Sequence, residues 1–168
     1  LNGERKIYSN TPNFTNFCMS NPEARRLFVN YVCDYAASHG AADYFHVWLS
    51  DGMNNHCECE ECQKMRPADG YMMMMNELDE QLTAKGLQTR IVFIAYVDTM
   101  FAPTTERLNN PDRFLFQFCP IARSYMESIT EDYEIPAPQP FRYNGWDRPK
   151  NTGEAYSLFC EWKKVFPG

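Results

Sequence analysis

The sequence predicts an α/β fold in which parallel strands alternate with helices, either part of a TIM-like (β/α) barrel or a small open α/β sheet. Apolar, β-branched and aromatic runs at residues 43–49, 89–98 and 113–120 have the length and make-up of strands. Between and around them lie helix-sized segments with recognisable caps. Strands that recur after such connections pair in parallel through right-handed crossovers. The 168 residues suffice for one domain with a real core. Three strands fall short of eight, and the chain lacks an initiator Met. Residues 1–168 are therefore expected to be a single α/β domain, a fragment of a larger (β/α)8-barrel protein.

The elements follow in chain order. Asn21 and Pro22 form an N-cap with proline at the first helical position, and residues 23–32 carry apolar side chains at helical spacing until His39 and Gly40 close the helix. The first strand, residues 43–49, is apolar enough to be buried on both faces, and Asp51 and Gly52 break it. A second helix spans residues 70–82 and stops at Lys85 and Gly86, a cation followed by a C-terminal glycine. Its Met72, Met73, Met74 and Met75 read as a core stripe, because methionine fills irregular gaps. The second strand, like the first, leads into an acid, here Asp98, and proline at 120 stops the third. Residues 135–140 read as an extended proline-rich loop and residues 152–166 as a closing helix.

Composition excludes several classes of partner. A net charge of −6 with scattered Lys and Arg gives no basic stripe for a phosphate backbone, so nucleic acid is not expected. No apolar run reaches the length of a membrane span, and residues 1–6 lack the apolar core of a signal peptide. The aromatic share, 15%, is high; most such rings fill cores, while exposed ones stack on sugar faces. A half-barrel would also expose a sheet edge, so self-association is expected.

The densest chemistry lies at residues 48–62, where a strand ends in an acid and meets three closely spaced thiols. Seven cysteines are too odd a count and the chain too long for a cystine-rich mini-domain. Cys18, Cys33, Cys119 and Cys160 have apolar surroundings and read as packing. Cys57-x-Cys59-x-x-Cys62, in a polar loop, lets three sulfurs converge within one turn, which is metal-ligand spacing. A structural zinc site needs a fourth ligand: His56 beside them, a distant thiol such as Cys18 or Cys119, or a carboxylate. A redox-active C-x-x-C pair, inert thiols and a local disulfide are the competing readings.

Loops at the carboxyl ends of parallel strands carry the active sites of α/β barrels, which makes Asp51 and Asp98 the candidate catalytic acids. Glycoside hydrolysis needs two carboxyls in one cleft, roughly 5–10 Å apart across its retaining and inverting geometries. Asp51 could otherwise cap its own turn, and Glu58, Glu60 and Glu61 read as a solvated charge run. Arg123 would hold a sugar carboxylate, since a guanidinium fork matches a uronic acid, and Tyr96 and Trp146 would offer stacking faces. Asn54 and Asn55 complete the substrate-binding candidates read from the residues.

The order of residues 16–22, then Ser50-Asp51-Gly52, then Cys57-x-Cys59-x-x-Cys62, then Phe118 to Arg123 resembles the domain of unknown function DUF4838. The resemblance runs along nearly the whole chain. It implies a TIM-barrel-like region related to glycoside hydrolases of gut Bacteroidetes, acting on a poly- or oligosaccharide and placed in the periplasm or at the cell surface within a parent protein. By motif it carries over Asp51, the three thiols and Arg123, and it implies Asn144 as a further substrate-binding candidate, since Asn144 is similar to an Asn that follows the third strand in relatives. Ser124-Tyr125-Met126-Glu127 stands where relatives would carry a cysteine and a histidine. The alternative to an enzyme is a non-catalytic carbohydrate-binding or structural module in which the cysteine loop is a metal staple.

Overall fold

A computed structural model describes residues 7–40, 42–121, 123–126, 128 and 135–166. Residues 1–6 and Glu127, both used in the reading above, lie outside the described residues. Helix α1 (Pro22–Ser38) begins at Asn21, whose side chain accepts from the N–H groups of Glu23 and Ala24, two donors the first turn leaves without a helical partner. Strand β1 (Tyr44–His46) follows, then a short helix α2 (Glu60–Gln63) and the long helix α3 (Pro67–Ala84). After Gly86, at φ 70°, come β2 (Arg90–Ala95), a 3-10 turn (Val97–Met100), β3 (Phe114–Phe118) and α4 (Thr152–Val165).

The three strands form one open, all-parallel sheet in the order β1-β2-β3. Among the two architectures the sequence allows, this is the small open α/β sheet. The first strand differs from its expected form. It keeps three residues rather than seven, lies at the sheet edge, and leaves Tyr44 and Trp48 about half exposed, so it is not buried on both faces. Residue composition favours a strand, but whether its faces are buried depends on the elements packed over them, and coverage is least at a sheet edge.

Helices α1 and α3 pack on each other and on the sheet around Val29, Cys33, Leu78, Ile91 and Phe93. Met72, Met74 and Met75 are fully buried in this core, as their spacing on α3 requires. Tyr71 ties the layers together: its hydroxyl donates to the carbonyl of Val47 and accepts from the N–H of Ile94 at 3.3 Å. Gly70 faces Met19 so closely that a Cβ there would lie 2.9 Å from the Met19 Cβ.

A buried ion pair ties the start of β3 to α3. Arg113, just before β3, donates to Asp79 on α3 at 2.7 Å and to the carbonyls of Leu87 and Thr89. Asp79→Ala would leave that guanidinium buried without its counter-ion. Removing one member of a buried pair costs about 3–5 kcal/mol, and that loss is expected from the urea midpoint of the variant. An unchanged midpoint would show that Arg113 finds full compensation in the backbone carbonyls.

Candidate metal centre and strand-end site

The thiols of Cys57, Cys59 and Cys62 converge, and the fourth sulfur of the group is that of Cys18. All four Sγ atoms lie within 4.8 Å of one another, and Cys18 is 3.7 Å from both Cys59 and Cys62. A tetrahedral zinc ion with Zn–S bonds of about 2.3 Å sets its sulfurs about 3.8 Å apart, so the spacing fits a four-thiolate site. Cys18 is too far from Cys59 and Cys62 for a disulfide, which needs about 2 Å between sulfurs, and all four cysteines are free. The cluster could hold a metal ion, and the four thiols are free of one another.

Local sequence explains the geometry. Cys18 and Ser20 sit in the turn that feeds the Asn21 cap of α1, while Cys59 is the residue before α2 and Cys62 lies inside it. The Ser20 hydroxyl lies 3.2 to 3.3 Å from Cys18, Cys59 and Cys62, close enough to hydrogen-bond whichever sulfur carries charge. That hydroxyl, with the N–H of Cys62, pulls the exposed Cys59 thiol down to about 6. Burial, reinforced by the neighbouring thiols, pushes Cys57 up to about 12. Gathering four thiolates would need a cation to offset their charge.

Of the expected ligands, His56 falls outside this group. It is buried, with Nε2 3.5 Å from the Asn16 amide. Cys18, read as packing and also offered with Cys119 as a distant fourth ligand, is the one the structure brings to the cluster. The available signal was its position in a polar turn immediately ahead of a helix cap.

The asparagines read as substrate-binding candidates make hydrogen bonds between segments of the fold, Asn144 to the cysteine loop and Asn54 and Asn55, just ahead of it, to other segments. Asn144 accepts from the N–H of His56 and donates to its carbonyl, both at 3.0 Å, and reaches Glu58. Asn54 does the same to Trp146, donating to its carbonyl at 3.2 Å and accepting from its N–H at 2.7 Å. Asn55 is buried between Ser50, Asn16 and the carbonyl of Phe14. Tyr143 adds a hydrogen bond to the carbonyl of Cys57 at 2.6 Å. Asn54 and Asn144 both adopt left-handed φ, which asparagine tolerates better than most residues. Gly52 is required for a different reason: a Cβ would meet the Asn55 amide at 2.7 Å.

The strand ends bring the two acids into different surroundings. Asp51 is exposed and accepts from the Tyr96 hydroxyl at 3.1 Å. Asp98 is 1% exposed and accepts from the N–H of Asn54 at 2.8 Å. Burial pushes its carboxyl up to about 6, against the pull of that hydrogen bond. Val97 between Tyr96 and Asp98 has φ 46°, an unfavourable conformation for a β-branched residue and a common mark of functional sites. Trp146 is buried with Met100, Phe101 and Leu158, 3% exposed, so its ring is core and offers no stacking face. Tyr96 packs against the same cluster while keeping part of its surface open. Arg123 lies beyond β3, its guanidinium 5.0 Å from the Tyr125 ring centre.

A family model described as a domain of unknown function, DUF4838, matches residues 1–148. The chain belongs to the DUF4838 family. No curated protein and no solved structure matches it. Within this DUF4838 domain, the matched span contains the thiol cluster, Asp51, Asp98 and the Asn144 clasp, and it ends before α4. Among the described residues no helix is long and apolar enough to cross a membrane.

Proposed function

We propose that this DUF4838 domain is a carbohydrate-active domain, a glycoside hydrolase whose acids sit at the carboxyl ends of β1 and β2 and whose site loop is stapled by a structural zinc ion. The observation that carries the enzyme reading is the contrast between its two carboxyls. Asp51 is exposed and hydrogen-bonded by a tyrosine, while Asp98 is buried with its pKa raised to about 6. Glycosidases assign acid and base roles by such contrasts, keeping one carboxyl protonated near neutrality and the other ionised. Asn in place of Asp98 could accept from Asn54 equally well without burying a charge, so the fold by itself has no need of an acid there.

Four protein thiolates would close the zinc coordination sphere, which suits a structural role and leaves no open position for a reacting water. Through Asn144 and Tyr143 the staple would hold the loop that carries Asn54, whose N–H is the partner of Asp98.

The enzyme reading is tested with a panel of aryl glycosides and oligosaccharides. Asp51→Asn is expected to lower kcat/KM at least about 100-fold, the scale of a lost general acid or base. Asp98→Asn should do the same while raising stability at pH 7. The sign follows from a folded pKa raised above the unfolded one: stability is fully present below about pH 4 and declines as pH rises through about 6. The wild-type stability curve should therefore fall across that window, and the Asp98→Asn curve should not.

One observation favours a non-catalytic module: Asp98 is closed off from solvent and already engaged by Asn54. Glycan binding without turnover, unchanged by Asp98→Asn, would decide for that reading. Among the described residues both outer strands leave an edge unpaired in the sheet, and we expect weak concentration-dependent self-association. Light scattering that gives a monomer mass at all concentrations would refute it.

A further inference from the structure

A cavity lies beyond the end of β3, against the first turns of α4. It has a volume of about 280 Å³ and is lined by Phe118, Pro120, Arg123, Thr152, Tyr156 and Phe159. Its walls are aromatic and braced on each other: the Phe159 ring lies 5.2 Å from Phe118 and 5.7 Å from Tyr156. The volume is close to the lower end for small-molecule sites, about 300 Å³, which suits a single ring better than a chain of them.

The polar side of the cavity is Arg123. Its Nε is buried and has no hydrogen-bond partner. The buried guanidinia of Arg25 and Arg113 pair with Glu77 and Asp79, and those of Arg66, Arg90 and Arg107 donate to backbone carbonyls. Among the described residues, no carboxylate pairs with Arg123. A buried, unpaired charged donor costs more than a neutral one, and an anionic ligand is its natural complement. Thr152 is buried beside it, its oxygen accepting from the N–H of Ser124 at 3.2 Å, which leaves its own O–H to donate.

We infer that this cavity is a subsite for a hexuronate, with the sugar carboxylate on the Arg123 fork and the ring faces against Tyr156 and Phe159. The C–H faces of a pyranose suit aromatic walls, and the carboxylate supplies the charge that Arg123 lacks. The choice of a sugar acid over an aryl acid rests on the carbohydrate reading above; the anion site itself rests on Arg123 alone. Phe118 packs against the same small cluster as Tyr96, so the subsite adjoins the strand ends that carry the acids.

Calorimetric titration of the whole chain with D-glucuronate, D-glucose and benzoate tests this, on wild type, Arg123→Gln and Arg123→Lys. Near-UV circular dichroism of each variant checks the fold. The expected result is glucuronate binding that weakens at least tenfold in Arg123→Gln and less in Arg123→Lys, with glucose at least tenfold weaker than glucuronate on wild type. The subsite is overturned by equal binding of glucose and glucuronate, by benzoate binding without glucuronate, by glucuronate affinity indifferent to Arg123→Gln, or by no binding to folded wild type. Asp51-dependent turnover of neutral glycosides with no Arg123 effect would sink the subsite and leave the enzyme reading. Arg123-dependent glucuronate binding with no turnover of any glycoside would do the reverse.

Discussion

Cys18→Ser is expected to abolish metal binding, although Cys18 lies about forty positions before the other three thiols. The wild-type chain, purified without chelator, should carry about one zinc, and His56→Ala should keep it, because His56 is outside the sulfur cluster. An ion that binds the folded chain at about 1,000 times its dissociation constant contributes about 4 kcal/mol. For a chain of this size that corresponds to roughly 10 °C in Tm, lost equally in Cys18→Ser and in chelated wild type. Cobalt substitution gives a second readout, since a four-thiolate cobalt site should show the charge-transfer absorption of tetrahedral sulfur ligation. Metal retained by Cys18→Ser and lost by His56→Ala would instead make His56 the fourth ligand. No metal in any sample would leave four packed thiols.

Asp69→Ala should be the most damaging single change outside the cysteines. Asp69 is fully buried at the start of α3, and its two oxygens collect the N–H groups of Arg66, Thr104, Thr105 and Glu106 and the hydroxyls of both threonines. It thereby caps its own helix and pins the loop that returns from β2 toward β3. Truncation would orphan several donors in a site too tight to admit much water. A loss of about 3–5 kcal/mol is expected, near the limit that single substitutions reach. Burial raises the carboxyl, but the N–H groups of Glu106, Thr105 and Arg66 outweigh it and hold the pKa below its usual value. A depressed folded pKa means that the contribution is present above the unfolded pKa, about 4, and is lost as pH falls through the folded one. Asp69 thus weakens the fold on the acid side, whereas Asp98 weakens it on the way up to pH 6. An Asp69→Ala stability curve parallel to wild type below pH 4 would contradict this account.

Much of the local structure was legible in residue order. The Asn21-Pro22 start of α1, the Gly86 stop after α3 and the methionine stripe depend on neighbours within one or two helical turns, so short-range chemistry specifies them, and the helix-sized connections between strands implied parallel pairing. The convergence of Cys57, Cys59 and Cys62 was legible for the same reason: five intervening bonds of loop leave three sulfurs little room to part. Strand β1 was less so, because burial on both faces depends on which elements cover the sheet above and below, and at the edge Tyr44 and Trp48 stay about half exposed.

What the sequence by itself determined is the order and type of elements, the thiol turn, and the presence of an acid beyond each of the first two strands. Only the tertiary structure decided that Cys18 completes the cluster, that Asn54, Asn55 and Asn144 clasp backbone, that Trp146 is core, and that Asp51 meets water while Asp98 does not. Each of these turns on contacts between segments tens of residues apart. Residue type states what a side chain can bond, but burial and partner are properties of the packed chain, and they decide whether an asparagine holds a loop or a carboxyl keeps its proton.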